Sequence, residues 1–359
     1  MRVGGAYPAA GVILLCFFLS GATALVYEVV WLRMLGLVFG HTVYAITTVL
    51  AAFMAGLGLG SVLFGRRAAR FPDPIRAYGL LEIGIGISCA LIPVFIWLAS
   101  SVYVGLYRVL SASYATFGLI QFVLVFALLL VPTTLMGGTL PVLSQALVRR
   151  EAGTGRTVGA LYAMNTFGAV AGVLLAGYGL LPAVGNRNTL WIAAAANVAV
   201  GLVAIAYSRS LQAAAPKAAR LPDHSPAARA AASSGTRDLG SGLIAAALGI
   251  SGAVSMIYEV TWTRALTLVI GSSTYAFTAM LVAFLLGIAG GAALYSLRWG
   301  TRRAAPAAFA VIQAGIGVAT AAVLLAFDRL PELFLFALGR SLSPAFVQLA
   351  QLVASVLAL

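Results

Sequence analysis

The chain has 359 residues, 62% of them hydrophobic and 9% charged, with a net charge of +13 and a mean hydropathy of +1.03. A soluble globule carries about 25% charged residues, so this composition excludes a water-soluble fold and fits membrane helices of about 20 apolar residues each. The positive charge does not mark a nucleic-acid surface, because the basic residues sit in short loops between apolar runs rather than in one stripe.

In chain order, nine apolar runs are expected to cross the membrane, at about 10–37, 42–65, 76–101, 115–148, 157–183, 188–207, 241–268, 273–297 and 304–327. A tenth begins near Leu342 and runs to Leu359, and is read as a span cut short. Span one follows Arg2 and holds Ala22-Thr23-Ala24, the outline of a signal peptide. Its near-copy at 249–258, in mid-chain, makes it a structural span instead. Cys16 and Cys89 lie inside apolar runs and read as small buried hydrophobes. Gly56 and Gly60, Gly168 and Gly172, and Gly287 and Gly291 form small-xxx-small faces where helices approach closely. The Gly56-Leu57-Gly58-Leu59-Gly60 run is no dinucleotide site, because no strand precedes it. Span four contains Pro132, Gly137, Gly138 and Pro141, which either break it to line a cavity or kink it. Asn165 in span five is a buried polar group suited to a bond between helices or to a substrate.

The loops alternate in charge. Arg66, Arg67, Arg70 and Arg76 follow span two; Arg149, Arg150 and Arg156 follow span four; Arg209, Lys217, Arg220, Arg229 and Arg237 follow span six; Arg298, Arg302 and Arg303 follow span eight. The intervening loops hold Arg108, Arg187 and Arg329. The positive-inside rule puts the N-terminus and the arginine-rich loops in the cytoplasm.

Residues 20–60 superpose on 251–291 without a gap, with roughly half of the positions identical. Tyr27-Glu28, Trp31 and Arg33 fall on Tyr258-Glu259, Trp262 and Arg264, and Glu82 falls opposite Gln313. The chain therefore divides into a six-span repeat at 1–207, a flexible cytoplasmic linker at 208–241 with Pro216, Pro222 and Pro226, and a second, incomplete repeat at 242–359. Both repeats start on the same side, so they are parallel. The expected fold is an all-α polytopic membrane protein with a major-facilitator-like layout, its binding site between the halves. His224 in the linker is given no role.

Glu28, Glu82 and Glu259 are the carboxylates deep in apolar runs, where a charge costs about 2.5–3.5 kcal/mol and is rarely idle. One reading places Glu28 and Glu259 opposite each other across the pseudo-twofold axis, with Tyr27, Tyr258, Trp31 and Trp262 nearby and Glu82 and Asn165 within the same substrate region, as a cage for an organic cation. The other pairs each Glu with an arginine of the opposite half, Arg33 or Arg264, as a gate or structural lock. The sequence contains no Ser/His/Asp set, zinc-like cluster or phosphate loop, so no catalytic residue, metal site or cofactor is expected in this chain.

Four stretches in order, 18–33 with Tyr27, Glu28, Trp31 and Arg33, 133–141 with Thr133, Gly137 and Pro141, 161–168 with Tyr162 and Asn165, and 251–264, resemble the membrane region of the fused spermidine synthase-like proteins of bacteria. The loop 60–70 resembles the Gly/Arg-rich loop of the major facilitator superfamily, without its acidic residue. The resemblance implies a bacterial inner-membrane location and a following soluble aminopropyltransferase-like domain that this chain lacks. It also implies polyamine synthesis or handling, with the lipid bilayer and a small organic cation as partners. A free-standing transporter of a small solute and a pure membrane anchor are the alternatives.

Overall fold

The computed structural model describes residues 8–39, 43–109, 114–148, 154–214, 239–271, 273–299, 306–339 and 343–358, and among them no strand occurs. The helices are α1 (Pro8–Phe39), α2 (Val43–Ala68), α3 (Pro74–Val109), α4 (Tyr114–Val148), α5 (Thr154–Leu174), α6 (Leu181–Ala214), α7 (Leu239–Ile270), α8 (Ser273–Trp299), α9 (Pro306–Ala326), α10 (Leu330–Leu338) and α11 (Pro344–Ala358). A π-helical turn, Leu175–Leu180, joins α5 to α6, and a 3₁₀ turn, Phe327–Arg329, joins α9 to α10. With so few charges the long helices cannot face water, and eight stretches are long and apolar enough to cross a bilayer: this is an all-α, multi-pass membrane protein.

One of those stretches, Gly159–Ala213, runs for 55 residues. A straight helix of that length would reach about 80 Å at 1.5 Å per residue, far beyond one bilayer crossing. Gly185 breaks it: φ 76° and ψ 176° lie in a region that glycine alone enters without strain, and the chain reverses there. Six crossings result in the first repeat.

The registers of close approach fix their directions. A Cβ on Gly168 would collide with the carbonyl of Phe18, and one on Gly172 with that of Ala22, so α5 runs parallel to α1. Gly56 is seated on Thr133 and Gly60 on the carbonyl of Thr134, so α2 runs parallel to α4. Gly79 abuts the carbonyl of Gly201 and Gly86 that of Ala194, so α6 runs antiparallel to α3. The two small-xxx-small motifs of the first repeat thus do what such motifs do in lipid, where backbone proximity replaces the hydrophobic effect as the glue. Gly287 and Gly291 have open space around them instead. The seat for Gly56 and Gly60 is built by Thr133–Gly138, and in the register of the repeat α11 corresponds to the part of α4 that precedes that seat.

These pairings have a symmetry that the sequence does not display. The packed pairs are α1 on α5, α2 on α4, α3 on α6, α1 on α6 and α3 on α4. Exchanging α1, α2, α3 for α4, α5, α6 leaves the set unchanged. Gly21 of α1 abuts the Asn165 carbonyl of α5 as Gly137 of α4 abuts the Leu57 carbonyl of α2, and Gly79 and Gly201 each abut the other's carbonyl. The contacts of the first three helices and of the next three thus have the pattern that a twofold axis lying across the helices near Gly79 and Gly201 would give.

α1 and α7, whose sequences align, carry side-chain hydrogen bonds at equivalent positions. Ser20 Oγ donates to Glu82 Oε1 at 2.6 Å, and at the equivalent positions Gln313 Nε2 donates to Ser251 Oγ. The surroundings differ: 56% of the apolar stretch of α1 is buried, against 6% for α7 and none for α9.

α4 runs as one helix through Pro132 and Pro141, so the segment kinks at most and does not break. Hydroxyls beside the prolines bond to nearby carbonyls, Thr133 Oγ1 to Leu129 O (2.6 Å) and Thr139 Oγ1 to Met136 O (2.8 Å). The expected linker lies mostly outside the described residues, with Lys217, His224, Arg220, Arg229 and Arg237; of its ends, 208–214 continue α6 and 239–241 begin α7. Arg149, Arg150, Arg302 and Arg303 also lie outside them. Cys16 and Cys89 are free and buried.

Asp73 ties the arginine-bearing ends of α3 and α6. Its Oδ1 accepts the Arg76 backbone N–H at 3.0 Å, capping α3, and its Oδ2 accepts from Ser208 Oγ and from Gln212 Nε2 at 2.8 Å. Asp73→Ala removes the cap and both ties together. The expected cost is about 1–2 kcal/mol, read as a lower midpoint in thermal unfolding of the detergent-solubilised protein.

Candidate functional site

Contacts between the two repeats gather on the side away from Arg66, Arg67, Arg70 and Arg76. Gly177 is pressed against Thr278, and the rings of Tyr178 and Tyr275 stack at 5.5 Å. An apolar cavity of about 300 Å³ lies between Thr47, Leu50 and Ala51 of α2 and Met256, Ile257, Val260 and Thr261 of α7. One core runs through both repeats there, joining Tyr27, Trp31 and Phe53 to Leu266, Phe277 and Met280. A second core, of Phe17, Tyr78, Leu143 and Leu161 among others, belongs to the first repeat alone.

Glu28 and Glu259 sit at this junction, each 2% exposed. They occupy equivalent positions of α1 and α7, and the shared core there includes Tyr27 and Val29 beside one and Val260 beside the other. Glu28 Oε1 has no hydrogen-bond partner, and neither does Trp31 Nε1 one turn along. Among the described residues neither glutamate forms an ion pair; Arg33 is half-buried and Arg264 is exposed, and neither reaches a carboxylate. Two carboxyls without a counter-charge at this depth need a cation or a proton between them.

The aromatic residues divide. Tyr27 and Trp31 are fully buried and stacked at 5.6 Å, with Trp31 edge-on to Phe53 at 6.4 Å. Their counterparts are half-buried, Trp262 lying against Phe327 at 5.8 Å. The repeat in sequence is thus not a symmetric cage in space: the first repeat supplies a rigid aromatic wall and the second does not.

A cavity of about 250 Å³ opens inside the first repeat, between α1, α2, α4 and α5, toward the arginine-bearing ends. Its lining includes Ser20, Ser61, Thr139, Tyr162, Asn165 and Asn197. Ala24 and Phe53 form its inner end, and Glu28 lies one helical turn beyond Ala24. Pro141 and Gly137 line it, so α4's unusual segment both seats α2 and shapes the cavity.

Glu82 is fully buried beside this cavity, away from the Glu28 pair. Ser20 Oγ donates to Oε1, Asn197 Nδ2 donates to Oε2, and Tyr27 Oη donates to Asn197 Oδ1 at 3.1 Å. The structure therefore separates Glu82 from Glu28 and Glu259 while linking it to Tyr27. Ser20 and Asn197 were not expected as site residues. Two signals pointed to them: Asn197 is a second amide inside an apolar run, and the spacing of Ser20 to Glu82 recurs in Ser251 to Gln313.

Among the described residues no group of three or more His, Cys, Asp or Glu is placed to hold a metal ion. No protein family matches the chain, and neither a curated protein nor a solved structure matches it.

Proposed function

We propose that the chain is a major-facilitator-like membrane unit that binds a small organic cation, of the polyamine class, between its two repeats at Glu28 and Glu259. The observation that carries the reading is the buried Oε1 of Glu28 without a hydrogen-bond partner, at the junction where Glu259 also lies buried, with no ion pair on either glutamate among the described residues. An ammonium group supplies the missing charge and the missing donor together. The inverted pairing of the first six helices, the parallel second repeat and the cavity inside the first repeat favour the major-facilitator layout. Repeats that touch on one side while the cavity faces the other fit a binding unit open toward its arginine-rich, cytoplasmic face, as charge bias orients it in a bacterial inner membrane. In this reading the unit serves an aminopropyltransferase-like domain, as the spermidine synthase-like resemblance implies.

Binding of labelled spermidine to protein in nanodiscs tests the site. Wild type is expected to bind, and Glu28→Gln with Glu259→Gln to lose about 100-fold or more in affinity, since two charge-assisted contacts go at once. A folded double variant that binds as tightly as wild type overturns the cation site and leaves the anchor reading. A variant that loses the affinity in a chain that also moves spermidine across liposomes favours the transporter reading.

A further inference from the structure

We propose that Glu82, with Ser20, Asn197 and Tyr27, forms a proton-binding site that loads and unloads through the cavity of the first repeat. The argument starts from the position of Glu82. It is fully buried in α3, about 12 Å from the start of that helix at 1.5 Å per residue, and no arginine, lysine or histidine acts on it among the described residues. The groups that face it are Cys16 and Tyr27 from α1, Tyr78 and Cys89 from α3, and the neutral Asn197 from α6. Its charge is met by hydrogen-bond donors alone.

Every polar partner of this carboxyl is able to reverse its role. Serine and tyrosine hydroxyls donate or accept, and an asparagine amide offers either face. With Glu82 ionised, Ser20 and Asn197 donate to it. With Glu82 protonated, its O–H is accepted by Ser20 Oγ, by a turned Asn197 amide, or by Tyr78 Oη, which lies beside the same carboxyl without a hydrogen bond of its own. In either state the carboxyl keeps hydrogen-bond partners, and Tyr78 Oη, unpartnered while Glu82 is ionised, gains one when Glu82 is protonated. A purely structural tie has no use for that property.

Access comes from the same two partners. Ser20 and Asn197 line the cavity and also touch Glu82. On unloading, the carboxyl O–H bond breaks and the proton passes to cavity water, directly or across the Ser20 hydroxyl, leaving the carboxylate; loading is the reverse. At the position that aligns with Glu82, α9 carries the amide Gln313, bonded to Ser251 in the same register, so a titratable group stands at this place in α3 and not in α9. The site stands on geometry distinct from the Glu28 pair and does not depend on which solute binds there.

The test is infrared difference spectroscopy across a pH titration, in protein carrying Glu28→Gln and Glu259→Gln, so that Glu82 is the buried carboxyl left in the membrane spans. A protonated-carboxyl band that disappears as pH rises is expected, and Glu82→Gln removes it. The amide keeps the size and the hydrogen-bonding capacity of the side chain, and size-exclusion chromatography checks that the variant folds. Ser20→Ala keeps the carboxyl but deletes a partner, and is expected to shift the frequency of the same band. No band at any pH between 4 and 10 (a range that runs about six units upward from the ordinary glutamate value), or a band that survives Glu82→Gln, overturns the proposal. Because the Glu28 pair is already neutralised here, failure of this test leaves the cation site untouched, and the reverse holds.

Discussion

Gly60→Val is expected to prevent the first repeat from assembling, at a cost of at least about 3 kcal/mol, while Gly58→Val and Gly291→Val change stability by less than about 0.5 kcal/mol. A Cβ at Gly60 runs into the carbonyl of Thr134 and lies 3.0 Å from the Cα of Gly137, so backbone, not a flexible side chain, would have to move. Separating α2 from α4 also unseats Gly56 from Thr133 and Gly137 from Leu57. Gly58, on the other face of α2, has nothing within 4 Å of its would-be Cβ, and neither has Gly291. All three residues sit in transmembrane helices, so intrinsic helix propensity and lipid exposure alone predict similar, small effects. Thermal survival on size-exclusion chromatography separates the cases: equal loss in all three would mean that close α2–α4 contact is not what holds the repeat.

The second large effect is a reversal of charge at the junction. Glu28→Lys places an ammonium opposite Glu259, so the variant is expected to fold and to have lost spermidine binding, its own side chain supplying the cation. Adding Glu259→Lys leaves two buried ammonium groups facing each other. That double variant is expected to be about 3–5 kcal/mol less stable than the single one, the cost of stripping a buried charge of its partner. The measurement is the fraction of monodisperse protein surviving a heat step. If single and double variants survive alike, the two residues do not share a site, because only contacting groups give such strong non-additivity.

Much of this architecture was written in one dimension. Apolar runs place most helices to within a few residues, because a bilayer demands lengths that composition reveals directly, although α3 extends to Val109 against an expected end at 101 and α6 spans Leu181–Ala214 against an expected 188–207. α1 was expected at 10–37 and spans Pro8–Phe39; span eight was expected at 273–297 and α8 spans Ser273–Trp299. The Ser–Glu and Ser–Gln bonds recur at the constant offset of the aligned stretches, since duplicated residues leave identities that can be counted. Burial of Glu28, Glu82 and Glu259 followed from their apolar neighbours alone.

Tertiary packing decided the rest. The inverted relation of α1–α3 to α4–α6 was not read from the sequence, because repeats of this kind keep at most a weak internal similarity while their packing persists. Which glycines matter was equally hidden: Gly60 and Gly291 occupy equivalent positions, and only the arrival of α4 on one of them makes it indispensable. The three buried acids read alike in sequence, yet the fold sends Glu28 to the junction with Glu259 and wraps Glu82 in hydrogen bonds from helices up to 115 positions away. Sequence determined that these carboxylates are in the membrane; the crossing of α1, α3 and α6 determined which of them stands alone, because membrane depth is set by neighbours along the chain whereas a partner is set by neighbours in space.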